Sequence, residues 1–217
     1  MPDTQSEPML NEDFPRAVRL ACHLHRFHSR KTTPSLEPPD PVPYASHLLS
    51  VAALVIEDGG DEDEAIAAML HDALEDCSDQ ISAAEIEEKF NARVRKLVRA
   101  CTDTPEDFEG GEKPDWETRK RIYIEKIASG TIPHRVSLSD KVHNARCIVR
   151  DLQKVGEEVW ELFSVEKPKT LWYYRALADA YREGGSSGFL IDEFDRLVGE
   201  MERLGGVTEG QPAHGAR

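Results

Sequence analysis

Apolar residues in this chain recur every three to four positions, segment after segment, and nowhere alternate over more than a few residues. That period puts side chains on one stripe of a helix, so a chain carrying it throughout is confined to helix-on-helix packing. Phe14, Val18, Ala21, Cys22 and Leu24 form one such stripe, and the five prolines of RKTTPSLEPPDPVP turn the following segment into a rigid extended loop. In YASHLLSVAALVIEDGG the residues Tyr44, Leu48, Val51, Ala52 and Val55 share a face, and a double glycine can cap the end. DEDEAIAAMLHDALEDC opens with acids suited to a helix N-terminus. Ser82 and Glu85 stand at capping-box spacing at the head of two short successive helices in SAAEIEEKFNARVRKLVRACTD. WETRKRIYIEKIASG, the stretch from Ser139 to Leu152, and two C-terminal amphipathic segments separated by GGSSG complete the set. The fold class is all-α.

The 217 residues suit one domain, spanning 14–204, between a flexible N-terminus at 1–13 and a disordered tail at 205–217. TPEDFEGGEKPD, acidic and glycine-containing, reads as a loop between helices. With 27 basic against 41 acidic residues the net charge is −14, which excludes broad binding to nucleic acid or anionic membrane. An anionic small molecule therefore needs local cations or a metal. The four cysteines lie far apart, without knuckle or redox spacing, and read as reduced thiols of a cytoplasmic protein. No stretch is long and apolar enough to span a bilayer.

The chemistry concentrates in HDALED, residues 71–76. Eight histidines and 17 aspartates yield about 0.6 His-Asp pairs by chance, so the dipeptide alone decides nothing. On a helix, however, His71 and Asp72 stand about 100° apart, and Glu75 and Asp76 follow each of them by four. Four polar groups beside the apolar AIAAML are costly unless something pairs them, although a solvated acidic helix end accounts for the same letters. His47, among Ala45, Leu48 and Leu49, is a third candidate ligand; taken alone it reads as a satisfied core histidine. Asp140 in RVSLSDKVHNARCIV reads, taken alone, as the N-cap or first-turn acid of a helix.

Taken together and in this order, YASHLLSVA, AMLHDALED and SLSDKVHNAR resemble the three motif segments of the HD phosphohydrolase superfamily, specifically its alarmone-hydrolase branch of RelA/SpoT hydrolase domains and small stand-alone hydrolases. The resemblance covers roughly residues 14–185. It implies an HD-domain bundle of about ten helices around one divalent ion, usually Mn2+, held by the residues matching His47, His71, Asp72 and Asp140. Glu75 would handle the water, assisted by Asp76, and the reaction would hydrolyse the 3′-diphosphate of ppGpp or pppGpp to pyrophosphate and GDP or GTP. Two imidazoles and two carboxylates without a thiolate suit manganese on chemical grounds as well. By the same resemblance Asn144 would contact the nucleotide sugar, with Arg146, Lys141, Arg26 and Lys31 as further substrate contacts and Arg119 and Lys120 near the diphosphate. Trp172, Tyr173 and Tyr174 read as core.

Two positions depart from the pattern. The branch carries an Arg-Lys pair on its first helix, and the arginine stacks on guanine; here His23 and Leu24 stand in those places, while His25, Arg26, Arg30 and Lys31 continue the pattern. Weak discrimination between guanine and adenine follows, with His23 left as the base contact. Leu48 replaces a proline after the first histidine. Nothing in the chain resembles a synthetase domain. The alternatives are an HD nucleotidase or phosphatase acting on another phosphorylated nucleotide, such as an adenine alarmone or an NADPH-like dinucleotide, or a binding module with a vestigial site. Loss of a ligand or of the Glu-Asp pair would mark the last, and none is lost.

Overall fold

The computed structural model of the protein describes residues 10–31, 41–103 and 114–206. The first residues, most of the proline-rich loop, most of TPEDFEGGEKPD and nearly all of the C-terminal tail lie outside them. Ten α-helices fill the described residues: α1 (Asp13–Leu24), α2 (Ala45–Glu57), α3 (Glu62–Leu70), α4 (Ala73–Asp76), α5 (Ala83–Lys89), α6 (Ala92–Cys101), α7 (Trp116–Ala128), α8 (Arg135–Val155), α9 (Lys167–Glu183) and α10 (Phe189–Leu204). A 3₁₀ turn over Gly156–Leu162 follows α8. The sole extended pairing among the described residues is a bridge between Ser29 and Pro43, which closes the proline-rich excursion at its base.

Helix boundaries follow local chemistry. Asp61 and Glu64 form a full capping box at the head of α3, Ser82 and Glu85 another at α5, and the Asn91 side chain caps α6. Each satisfies donors that a helix start leaves unpaired. After α2 the chain turns through Gly59 at φ +77°. Gly60 then packs so closely that a Cβ would lie 2.6 Å from Val55 Cγ1.

Two apolar clusters form the core. One gathers α7, α8, α9 and α10 around Leu177, Tyr181, Phe194 and Val198; the other gathers α1, α2, α3, α5 and α6 around Leu48, Ile66, Met69 and Val94. Helix α8 belongs to both, through Val142 and Val136 respectively. It is fixed at its N-terminal end by Arg135, whose guanidinium donates to Asp58 at the end of α2 (2.9 Å) and to Glu64 at the start of α3 (2.6 and 2.8 Å).

Two local expectations are corrected. Helix α8 starts at Arg135, so Asp140 lies in its interior and is neither an N-cap nor a first-turn acid. The stretch from Asp61 to Cys77 is not one continuous helix: α3 ends at Leu70, His71 is its C-cap, and Asp72, at φ −92° and ψ −5°, starts α4. At this junction His71 Nε2 stands 3.0 Å from Asp72 Oδ2.

Candidate metal centre

Helices α2 and α8 each deliver one polar side chain, and the α3–α4 junction two, to one point. His47 (1% exposed), His71 (2%) and Asp140 (7%) are buried, and Asp72 is partly open. His71 Nε2 lies 3.0 Å from Asp72 Oδ2 and 3.7 Å from Asp140 Oδ1. His47 Nε2 lies 3.2 Å from Asp140 Oδ1 and 3.7 Å from Asp72 Oδ2. Four ligand atoms of two elements, N and O, thus face one another without a bond network that uses them all.

Each ligand is oriented from behind. His71 Nδ1 sits 2.8 Å from the Ala68 carbonyl, which can only accept, so the proton is on Nδ1 and the Nε2 lone pair points into the centre. That Nε2 is buried and has no hydrogen-bond partner. His47 Nδ1 pairs with His143 Nδ1 at 2.7 Å, leaving its Nε2 toward the centre. The Tyr44 hydroxyl donates to Asp72 Oδ2 at 2.5 Å, and the Tyr44 ring stacks on His25 at 5.0 Å. His25 in turn contacts His28 Nδ1 (3.0 Å) and Cys77 Sγ (3.8 Å). Lys141 donates to Asp140 Oδ2 (2.7 Å) and Asn144 Nδ2 to Asp140 Oδ1 (2.5 Å). Such backing is typical of metal ligands.

Electrostatics agree. Burial drives the His47 imidazole toward its neutral, ligating form, with Asp140 opposing. Burial would raise the Asp140 carboxyl, but Lys141 and the two imidazoles hold it well below the usual carboxylate range. Burial would likewise raise Asp72, yet the His71 imidazole brings it down to about 2. Against burial, the two carboxylates push His71 well above the ordinary histidine value, so without an ion they favour a proton on its Nε2, in the place a bound cation would take. Two carboxylates held ionised around an orphaned buried nitrogen call for a cation, and a divalent metal fits this N/O donor set. Among the described residues His47, His71 and Asp72 form one cluster able to hold an ion. A second cluster, His25, His28 and Cys77, already has its polar atoms engaged with one another and serves to support Tyr44.

Just beyond the junction, α4 carries Glu75 and Asp76, both exposed. Glu75 Oε1 accepts from the Thr102 hydroxyl and from the Asp103 amide (3.1 Å). Asp103 is itself gripped by Arg119 and Lys120, each at 2.7 Å. These two cations therefore support the Glu75 segment. Although Asp76 is open to solvent on one side, partial loss of hydration against the protein, followed by the charges of Asp72 and Glu75, raises its carboxyl.

A cavity of about 720 Å3 reaches the centre through Tyr44, Asp76 and Asn144. Of the positions the motifs single out for substrate, Lys31 and Asn144 line it, and Asn144 also accepts from Arg30 at 3.0 Å. Lys141 lies beside it on Asp140. His23 and Arg26 are exposed and do not line the cavity, the Arg26 guanidinium lying 4.9 Å over the Phe27 ring. Arg146 also lies off it, paired with Glu193 at 2.7 Å. Tyr173 is core as its pattern implies, whereas Tyr174, although buried, touches the cavity wall. Sequence reading assigned Tyr44 to the core face and passed over His143; their spacing from His47 and Asp140 on shared helices was the available signal.

Fold and centre together define an HD-domain phosphohydrolase, and the chain belongs to the HD-domain family, whose model matches residues 17–165. Its relatives narrow the likeness. The human protein named guanosine-3′,5′-bis(diphosphate) 3′-pyrophosphohydrolase MESH1 is 31% identical over 154 residues, covering 70% of this chain and 75% of its own. A guanosine-3′,5′-bis(diphosphate) 3′-pyrophosphohydrolase from Aquifex aeolicus is 31% identical over 163 residues, 72% of this chain and 21% of that longer one. The fold matches the solved structure of a metazoan ortholog of SpoT with a TM-score of 0.65 at 22% identity, over 94% of this chain and 99% of that one.

Proposed function

We propose that this chain hydrolyses the 3′-diphosphate of guanosine alarmones, ppGpp and pppGpp, to GDP or GTP and pyrophosphate, with manganese as the ion. The observation that carries the reading is the orphaned, buried His71 Nε2 facing His47, Asp72 and Asp140, one turn from the exposed pair Glu75 and Asp76. Relatives named for this reaction over most of the same span support it.

His47, His71, Asp72 and Asp140 would hold the ion. Bound there, a divalent ion supplies Lewis acidity toward phosphate oxygens and toward water. The chain's own groups do the rest. Attack of a water oxygen on the phosphorus bonded to O3′ forms one P–O bond and breaks the P–O3′ bond. Pyrophosphate leaves carrying the new oxygen, and O3′ ends as a hydroxyl. Glu75, held by Thr102 and the Asp103 amide, is positioned to orient the water and take its proton. Asp76, whose carboxyl is raised by partial loss of hydration and by its acidic neighbours, is suited to hold and return a proton. Lys31 at the cavity wall offers a cation to the substrate phosphates in a protein otherwise strongly acidic.

Product analysis tests the reading. Purified protein with manganese is given 5′-phosphorylated guanosine and adenosine 3′-diphosphates and a dinucleotide phosphate, and the released species are identified. Pyrophosphate together with a 5′-nucleotide supports it; orthophosphate alone would indicate a phosphatase of another class.

A further inference from the structure

Helix α8 does more than supply Asp140. Asp140, Asn144, Ile148 and Asp151 recur at intervals of four, four and three, so they share one face, with Asp151 about 16.5 Å along the axis from Asp140. Asn144, Ile148 and Asp151 all line the 720 Å3 cavity. That run can be bridged by an ion at the Asp140 end, a 3′-phosphorylated nucleotide, and a hydrogen bond from its base at the Asp151 end. At the Asp140 end the cavity is polar. Toward Asp151 it is apolar, walled by Ile148, Val159, Leu162 and Phe163. Phe27, 86% exposed, also lines it, one ring face covered by the Arg26 guanidinium at 4.9 Å.

Asp151 is out of place in such a wall. Its residue is 5% exposed, yet it carries a carboxylate. Its Oδ1 accepts from Arg150 Nε at 2.8 Å, and among the described residues no donor reaches Oδ2. Oδ2 is not among the sealed, unpartnered polar atoms of the described residues, so it opens onto the cavity that Asp151 lines, where its lone pairs can accept from a ligand.

We infer that Asp151 is the base reader of this site and selects guanine, its carboxylate accepting the adjacent N1–H and N2–H donors of that base while the apolar wall and Phe27 cover the ring faces. Guanine presents two donors side by side along that edge. Adenine presents one donor and one ring-nitrogen acceptor, and the acceptor would face a carboxylate lone pair. Recognition then does not depend on a cation at position 23, whose side chain lies off the cavity. The inference rests on the proposal that the cavity takes a 3′-phosphorylated nucleotide.

The test compares the unaltered protein with Asp151→Asn, a near-isosteric change, by two readouts. Dissociation constants for GMP, IMP and AMP are measured by calorimetry, and kcat/KM is measured for guanosine and adenosine 3′-diphosphates. Expected are tighter binding of GMP than AMP, IMP between them because it lacks the 2-amino group, and a roughly ten- to hundredfold loss of guanine preference in Asp151→Asn. An unchanged helical circular-dichroism signal in the variant separates this loss from misfolding. The binding arm stands without turnover: guanine-selective binding that Asp151→Asn removes, with no hydrolysis, would sink the proposed reaction and leave the base reader intact. Equal binding of GMP and AMP, or a preference that Asp151→Asn leaves unchanged, would overturn Asp151 as the reader.

Discussion

Tyr44 illustrates how a residue outside the ligand set governs it. Its hydroxyl bonds Asp72 Oδ2, and its ring is braced by His25, so Tyr44→Phe keeps the packing and removes one bond. Loss of such a supporting bond lowers metal affinity about ten- to hundredfold. A manganese titration of the variant followed by metal analysis checks this, and unaltered affinity would remove Tyr44 from the centre's support. Glu75 makes the complementary case. Because it bonds Thr102 and the Asp103 amide and is no part of the four-atom cluster, Glu75→Gln should bind manganese normally while turnover falls by a factor on the order of a hundred or more. Full activity in that variant would move the water to Asp76. The convergence of His47, His71, Asp72 and Asp140 was legible because His and Asp within short helical motifs are few in kind and strict in geometry. The cavity wall was less legible: His23 lies off the cavity, whereas Asp151, the proposed base reader, lines it three turns beyond Asp140 and belongs to no short motif.

Among the elements, the capping box of α5 was readable from Ser82 and Glu85 because that signal is wholly local. The start of α8 was not. Ser139 and Asp140 imitate a helix start, but the true start is held by Arg135 reaching Asp58 and Glu64, more than seventy residues away in sequence, and tertiary pairing outweighed the local signal. At the head of α3, Asp61 caps Glu64 and also pairs with Arg93 of α6. Asp61→Ala should therefore cost about 1 kcal/mol of stability, read as a lower urea midpoint at unchanged m-value. The link between α6 and α7 titrates. Although burial opposes ionisation of Asp103, Lys120 and Arg119 hold its folded-state value below the ordinary 3.8. Its stabilising contribution is thus present above pH 3.8 and lost as pH falls through that range toward the depressed value. Asp103→Asn should flatten the acid limb of the stability profile there and leave the neutral range with a constant offset. An unchanged acid limb would mean that the carboxylate contributes nothing.

At the scale of the whole molecule, two apolar clusters meet along α8, and the proposed ligands come from α2, the α3–α4 junction and α8, so a bound ion ties both clusters together. Binding to the folded state alone should then raise stability by about 2.7 kcal/mol at a free metal concentration of 100 Kd, visible as a Tm that falls on chelation and returns with manganese. The same argument sets the most direct test of the account. Chelator-treated protein is titrated with manganese while bound metal and pyrophosphate release from guanosine 3′-diphosphate substrate are followed together. The account predicts negligible release from the stripped protein, release rising in step with occupancy to a plateau at one ion per chain, and neither binding nor release in Asp72→Ala. Undiminished pyrophosphate release from the stripped protein, or full metal occupancy in Asp72→Ala, would contradict it.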